Sequence, residues 1–399
     1  ADEALDLLKY QPQRGARLIE KVLKSALGNA EDRRAPSVSD LVVVDARVDG
    51  GPMFKRIRPR ARGMAFMIKR RMAHIRVSVD TVGLLGLGLM GRGIAACLLC
   101  HGLNVIAYNR TPARAEKSRA FLAGVMEEVV RRGLFISEEV ADWAERFAVV
   151  DTVSGLADCP FVVESVKEDL GVKRRLYAEL ETHVAPDAVI ASNTSSFPLT
   201  LLQAESMHPE RFVVMHWAEP TWITRFMEIV RNERTSEEAV ARTRDLGLRC
   251  DKQPSFLNFD IRGFIANRLM YAFIREACYL YDLGVADAAT IDRSFRNDTG
   301  WWSALAGPFR WMDLTGLEAY GLVMDGLLPE LCNRKTVPEI MKKMLAEGAQ
   351  GTANCKGFYP YDEHTARAWE QTWVEFTYDV RDLIRKHESR LRDAGALQE

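Results

Sequence analysis

The run T-V-G-L-L-G-L-G-L-M-G-R-G, residues 81–93, constrains this chain more than any other segment. A short apolar strand leads directly into Gly86-x-Gly88-x-x-Gly91 and then into the helix-forming stretch I-A-A-C-L-L-C. One glycine permits the tight turn, the second lets backbone approach a pyrophosphate, and the third lets the helix pack on the strand. Phosphates then face the free amides of the helix start. A second strand, N-V-I-A-Y, ends at Tyr108, about 20 residues on, as a dinucleotide-binding unit requires. The spacing predicts a dinucleotide held by Gly86, Gly88, Leu89, Met90 and Gly91.

The alternation continues. F-V-V-E-S-V, A-V-I-A-S and F-V-V-M-H supply three further strands, which predicts an α/β fold built on a doubly wound parallel sheet. Past about Phe256 the strands stop. From Ile261 to His387 the pattern is helical, with breaks at Gly300, Gly307-Pro308 and Gly357, so an all-helical domain follows. We place the sheet domain at 81–257 and the helical one at 258–399.

Ligands of such sheets bind outside the carboxyl ends of the strands, and three polar clusters fall there. They are Glu164-Ser165-Val166-Lys167-Glu168 with Lys173, then Ser192-Asn193-Thr194-Ser195-Ser196, then His216. Glu168 or the Asn193–Ser196 run, taken singly, reads equally as a helix cap. Glu228 lies twelve residues beyond His216. A histidine held by a carboxylate can take a proton from an alcohol while a nicotinamide takes the hydride, so the chain reads as a dehydrogenase.

At the end of the second strand the usual ribose-binding acid is missing, and Asn109-Arg110-Thr111 stands in its place. An acid there repels a 2′-phosphate; an amide beside a guanidinium does not. The cofactor is therefore NAD or NADP, with NADPH accepted at least as well as NADH.

Net charge near neutrality hides an asymmetry. Residues 1–80 carry 17 Lys+Arg against 10 Asp+Glu, and the remainder 37 against 45. Seven scattered cysteines form no even ladder, the pattern of a reducing compartment, and a cytoplasmic location is expected. Cys97 and Cys100 form one Cys-x-x-Cys, but no second ligand pair follows at zinc spacing and no metal is expected. The most apolar stretch, Val82 to Tyr108, is interrupted by Arg92, His101 and six glycines and cannot span a membrane.

The first 80 residues follow different rules. Leu5, Leu8, Leu18, Val22 and Leu27 recur at helical spacing around a break at Gln11-Pro12. Leu41–Val48 and Ala73–Val79 read as strands. Between them Lys55, Arg56, Arg58, Arg60, Arg62, Lys69, Arg70 and Arg71 crowd two arms around a Pro/Gly turn. A solvated charged loop is one reading. A hairpin this basic repels itself unless a polyanion neutralises it, which favours RNA.

E-A-L-D-L-L-K-Y, K-V-L-K-S-A-L-G-N-A-E and G-P-M-F-K-R-I-R-P-R-A-R-G resemble bacterial ribosomal large-subunit protein twenty-two across essentially all of residues 1–80. The resemblance implies a small α+β head whose arginine-rich hairpin runs along ribosomal RNA. That family's first strand and helix segment are expected ahead of Ala1. Asp80-Thr81 carries no Gly/Ser or Pro tether, so the chain reads as a fusion of two gene products.

From Val82 to about Tyr361 the chain resembles the L-3-hydroxyacyl-CoA dehydrogenase family. S-N-T-S-S at 192–196, V-V-E at 162–164, G-F-I-A-N-R at 263–268, G-P-F at 307–309 and G-F-Y-P-Y at 357–361 carry it, together with the His216-to-Glu228 spacing. The resemblance implies a Rossmann sheet with a helical domain that pairs into homodimers, and an acyl-CoA substrate. It makes His216 the general base and Glu228 its orienting partner. Ser195 and Asn267 become donors to the substrate oxygen and the histidine region, and Glu168, Lys173 and Asn193 line the nicotinamide nucleotide.

Two departures bear on the substrate. Glu219 stands where the family has an amide, and Trp301-Trp302 where it has small residues. Glu219 meets either a cationic substrate group, as in the related carnitine dehydrogenases, or a neighbouring arginine such as Arg225; we favour the arginine. Carnitine- or gulonate-type dehydrogenation, a ribosomal RNA-binding protein carrying a fused dehydrogenase, and a dinucleotide-binding pseudoenzyme are the alternatives. Thr365–Leu397 reads as one long amphipathic helix past the family's usual end.

Overall fold

A computed structural model describes residues 19–21, 23–24, 45–59, 65–78 and 81–396. The expected helices before Glu31 lie outside these residues except at 19–21 and 23–24, which are helical. Leu41–Val44, Arg60 and Arg62 also lie outside them.

In the basic segment, β1 (Asp45–Pro59) and β2 (Ala65–Ser78) form an antiparallel two-stranded ladder with an irregularity between Gly50 and Met53. The strands run through the cationic residues rather than stopping before them. Lys55 stands opposite Lys69, Phe54 opposite Arg70 and Met53 opposite Arg71.

The second sheet has eight strands in the order β10-β9-β8-β7-β6-β3-β4-β5. Its core strands are β3 (Thr81–Leu85), β4 (Asn104–Tyr108), β5 (Phe147–Val150), β6 (Phe161–Glu164), β7 (Val189–Ser192) and β8 (Phe212–Trp217), all parallel. β9 (Phe226–Val230) runs antiparallel to β8, and β10 (Gln253–Leu257) lies beyond it. β6, β7 and β8 are buried at every position, as near-continuous apolar runs are when helices cover both faces of a sheet.

The longer helices between these strands are α1 (Leu89–Cys100), α2 (Pro112–Arg131), α3 (Leu170–Glu181) and α4 (Glu237–Arg249). Ile94–Cys100 of α1 is almost fully buried, the state expected of a helix apolar all round. α3 starts because the Asp169 carboxylate accepts from the Val172 amide, and α4 because the Ser236 hydroxyl accepts from Ala239. Cys100 Sγ faces Met126 Sδ at 3.6 Å, whereas Cys97 Sγ lies 3.9 Å from both His101 Nδ1 and the Cys250 carbonyl. The two thiols of the Cys-x-x-Cys therefore have separate partners.

By internal contacts the chain divides into two units. One holds the sheets: Ala1–Thr194, Leu199–Trp217 and Met227–Asp260. The other comprises Ser195–Pro198, Ala218–Phe226 and Ile261–Glu399. Its helices are α5 (Ala266–Asp282), α6 (Ala288–Asn297), α7 (Gly307–Thr315), α8 (Leu317–Leu327), α9 (Glu339–Ala346) and α10 (Glu363–Asp393), with a short turn at Thr299–Ser303. α10 begins where the Asp362 carboxylate accepts from the Thr365 amide. Among the described residues no helix is long and apolar enough to cross a membrane.

Candidate active site

The chain leaves β3 for β4 and β5 on one side, then returns to lay β6 against the other side of β3. This reversal opens a crevice at the carboxyl ends, where doubly wound sheets take their ligands. The loops there are held by bonds that continue the ladders. Gly86 N donates to Tyr108 O (3.1 Å), Ser165 N to Leu85 O (2.8 Å), Asn193 N to Glu164 O (2.7 Å) and Asn109 N to Val150 O (3.0 Å).

The glycine turn is built as its spacing demands. Gly86 adopts φ +99°, and a Cβ there would lie 2.8 Å from the Ser165 carbonyl oxygen. A Cβ on Gly91 would lie 2.1 Å from Gly86 O, so helix and strand touch backbone to backbone. Gly88 has nothing within 4 Å of a Cβ and caps α1 without a side chain. That open cradle ahead of unsatisfied helix amides fits a pyrophosphate. Leu89 is exposed and Met90 partly so beside it.

At the end of β4 the Asn109 amide nitrogen donates to Thr111 O at 2.9 Å. Arg110 is exposed and, among the described residues, has no hydrogen-bond or ion-pair partner. A guanidinium stands available where an acidic residue is usual.

Beside the turn lies a buried polar cluster. Glu164, wholly buried, accepts from Lys173 Nζ (2.7 and 2.9 Å), the Tyr177 hydroxyl (2.5 Å), the Ser192 hydroxyl (2.7 Å) and the Val166 amide (2.7 Å). Burial and then the Glu164 charge push the Tyr177 hydroxyl well above its ordinary range, so it remains a donor. Lys173, 1% exposed, also lies 3.2 Å from Glu168, which takes the Thr194 hydroxyl. Asn193 accepts from the Trp217 amide at 2.9 Å and donates to Ser165 Oγ at 3.3 Å. Thus Glu168, Lys173 and Asn193 are gathered at one strand end. Glu164, Tyr177 and Ser192, which sequence reasoning did not assign, hold them there. The readable signal was a carboxylate closing a fully apolar strand.

His216 and Glu228 are direct partners in the β8–β9 ladder, which is why twelve residues separate them: strand, loop, returning strand. His216 Nδ1 lies 2.8 Å from Glu228 Oε2, and Glu228 is 1% exposed. A carboxylate on Nδ1 fixes the tautomer and leaves Nε2 to exchange a proton with a ligand. In the second unit Asn267, in the first turn of α5, donates to the Ser195 carbonyl at 2.8 Å. Arg225 pairs with Glu388 at 2.5 Å.

Comparison with known proteins identifies the families of the chain's parts. Residues 81–258 match "3-hydroxyacyl-CoA dehydrogenase, NAD binding domain", residues 263–361 match "3-hydroxyacyl-CoA dehydrogenase, C-terminal domain", and residues 1–80 match "Ribosomal protein L22p/L17e". The chain is 33% identical over 313 residues to 5-formyl-3-hydroxy-2-methylpyridine 4-carboxylate 5-dehydrogenase of Mesorhizobium japonicum, covering 78% of this chain and 100% of the relative. It is 30% identical over 287 residues to 3-hydroxybutyryl-CoA dehydrogenase of Mycobacterium tuberculosis, covering 71% and 99%. A crystal structure of a 5-formyl-3-hydroxy-2-methylpyridine 4-carboxylic acid 5-dehydrogenase, described as an NAD+ dependent dismutase, superposes with a TM-score of 0.72 at 29% identity, covering 77% of this chain and 98% of that one. The head is 68% identical over 87 residues to large ribosomal subunit protein uL22 of Rhodopirellula baltica, covering 21% of this chain and 73% of the relative. The chain is a fusion: residues 1–80 belong to the ribosomal L22 family, and the rest belongs to the 3-hydroxyacyl-CoA dehydrogenase family of NAD-dependent oxidoreductases.

Proposed function

We propose that residues 81–399 oxidise the hydroxyl of a 3-hydroxyacyl-CoA or a related β-hydroxy acid, with His216 as general base. The 2.8 Å contact between His216 and buried Glu228 carries this reading. His216 Nε2 takes the hydroxyl proton, and Glu228 stabilises the imidazolium that forms. A nicotinamide dinucleotide, when bound, accepts the hydride from the carbinol carbon. Gly86, Gly88, Leu89, Met90 and Gly91 receive its pyrophosphate, and Asn109 with Arg110 receives the adenosine ribose, free or 2′-phosphorylated. Glu168, Lys173 and Asn193 set the nicotinamide side, while Ser195 and Asn267 orient the substrate oxygen.

In this reading 81–257 binds the dinucleotide and 258–399 shapes the substrate site and pairs two copies in the cytoplasm. Exposed Phe309, Leu314 and Leu322 on the helical unit support a homodimer. Residues 1–80 form the RNA-binding part, with Lys55, Arg56, Arg58, Arg60, Arg62, Lys69, Arg70 and Arg71 at the phosphates.

A second reading, a smaller carboxylate substrate without CoA, is favoured by the full-length match to the pyridine-carboxylate enzyme and by Trp301-Trp302, bulky where the family has small residues. NADH formation measured with 3-hydroxybutyryl-CoA, free 3-hydroxybutyrate, L-carnitine and the pyridine aldehyde separates the two. Turnover of the thioester alone supports the first reading, turnover of the free acids the second, and silence on all four with either cofactor sinks both.

A further inference from the structure

The segment Ala218–Phe226 joins the strand of His216 to the strand of Glu228, yet it packs with the helical unit. Two side-chain bonds tie it to α10. Trp222 Nε1 donates to the Tyr378 hydroxyl at 3.2 Å, and Arg225 Nη1 donates to Glu388 Oε2 at 2.5 Å. Tyr378 and Glu388 are 4% and 8% exposed, whereas Trp369, Trp373 and Phe376 on the other side of the helix are each more than half exposed. The buried face of α10 thus serves this segment. Two anchors ten residues apart on a helix stand about 15 Å apart, and they hold the middle and the carboxyl-terminal part of the segment.

The loop has internal order of its own. Ile223 N and Thr224 N both donate to Pro220 O, and Thr224 Oγ1 donates to Ala218 O. It carries Glu219, the residue that departs from the family amide. α10 starts just past Tyr361, where the match to the family's C-terminal domain ends. The hydroxybutyryl-CoA relative matches over 287 residues, about the length from residue 81 to the start of α10, whereas the pyridine-carboxylate relative matches over 313, about the length to its end.

We infer that α10 is a strap that sets substrate specificity: Tyr378 and Glu388 are positioning residues that fix Ala218–Phe226, the segment that joins the strand of His216 to the strand of Glu228. The inference rests on the dehydrogenase reading above. It accounts for a helix that the family's two domains do not include, and for a part-buried ion pair between residues 163 apart in sequence.

The test uses the full chain and the variants Tyr378→Phe, Glu388→Gln and the swap Arg225→Glu with Glu388→Arg. Hydrogen exchange of Ala218–Phe226 is expected to quicken in the two single variants, while that of β8 and β9 stays unchanged. KM for the hydroxy substrate is expected to rise, with kcat/KM falling about tenfold, since small misplacements near a reacting group cost that much. KM for NAD+ should stay within about twofold, as neither Tyr378 nor Glu388 belongs to the dinucleotide turn. The swap should restore most of the loss. Unchanged exchange in the loop overturns the strap, and so do equal losses in both KM values with a lowered melting temperature. A wild-type enzyme that binds NADH but turns over no hydroxy substrate refutes the functional reading instead, and the exchange data still decide the strap.

Discussion

Replacing Glu228 by Gln isolates what the carboxylate contributes. The amide keeps the size of the side chain and a hydrogen-bonding oxygen, but it removes a charge that sits 2.8 Å from His216 Nδ1 and 1% exposed. With water excluded, no solvent replaces that charge when His216 becomes an imidazolium. A hydrogen bond to a charged group contributes roughly 1.5–3 kcal/mol. At about 1.4 kcal/mol per factor of ten, kcat should fall by about 12- to 140-fold. The assay is steady-state NADH formation on the best substrate, beside NADH binding and a thermal melt to show an intact fold. Since Glu228 acts through His216, adding Glu228→Gln to His216→Ala should change the residual rate by less than about twofold. A kcat within twofold of wild type, or losses that multiply in the double variant, refutes the reasoning.

Three further outcomes follow from the geometry. Gly91→Ala forces a methyl to 2.1 Å from Gly86 O and should cost at least about 2 kcal/mol in denaturant unfolding, while Gly88→Ala, with open space, should melt like wild type yet bind NADH at least about tenfold more weakly; equal melting of the two contradicts this. Arg110→Ala should lower kcat/KM for NADP+ by about tenfold or more and leave NAD+ unchanged; better efficiency with NADH in the parent, untouched by the substitution, sinks the 2′-phosphate role. The full chain should bind a structured ribosomal RNA fragment with affinity falling steeply as salt rises, and exchanging Lys55, Arg56, Arg58, Lys69, Arg70 and Arg71 for Gln should flatten that slope; a slope indifferent to the exchange refutes an RNA-binding head.

Much of the fold was legible because its signals are local. The turn at Gly86–Gly91 needs glycines for steric reasons that hold in any chain, and β3, β4, β6, β7 and β8 are short apolar runs with no competing period. β5, β9 and β10 escaped notice. β9 carries Glu228 in its middle, which breaks the apolar run, and β10 has exposed positions at both Gln253 and Phe256. The His216–Glu228 pair was legible from the residue types and from the spacing the resemblance carries, while the antiparallel ladder that sets this spacing was not. The Glu164 cluster was not. Its four donor residues lie up to 28 positions from Glu164, and only the β6–β7 register together with the packing of α3 brings Ser192 and Tyr177 to one carboxylate. The grip of α10 on Ala218–Phe226 was hidden for the same reason: an amphipathic helix reveals that it has a buried face, not what that face touches.

The central claim is that His216 is the base of an NAD-dependent alcohol oxidation. It is tested most directly by following NADH formation from 3-hydroxybutyryl-CoA with the purified chain and with its His216→Ala variant, both shown to bind NADH. The account predicts turnover in the parent and at least about a hundredfold loss in the variant, the scale of general base catalysis. Equal rates in the two proteins would contradict it.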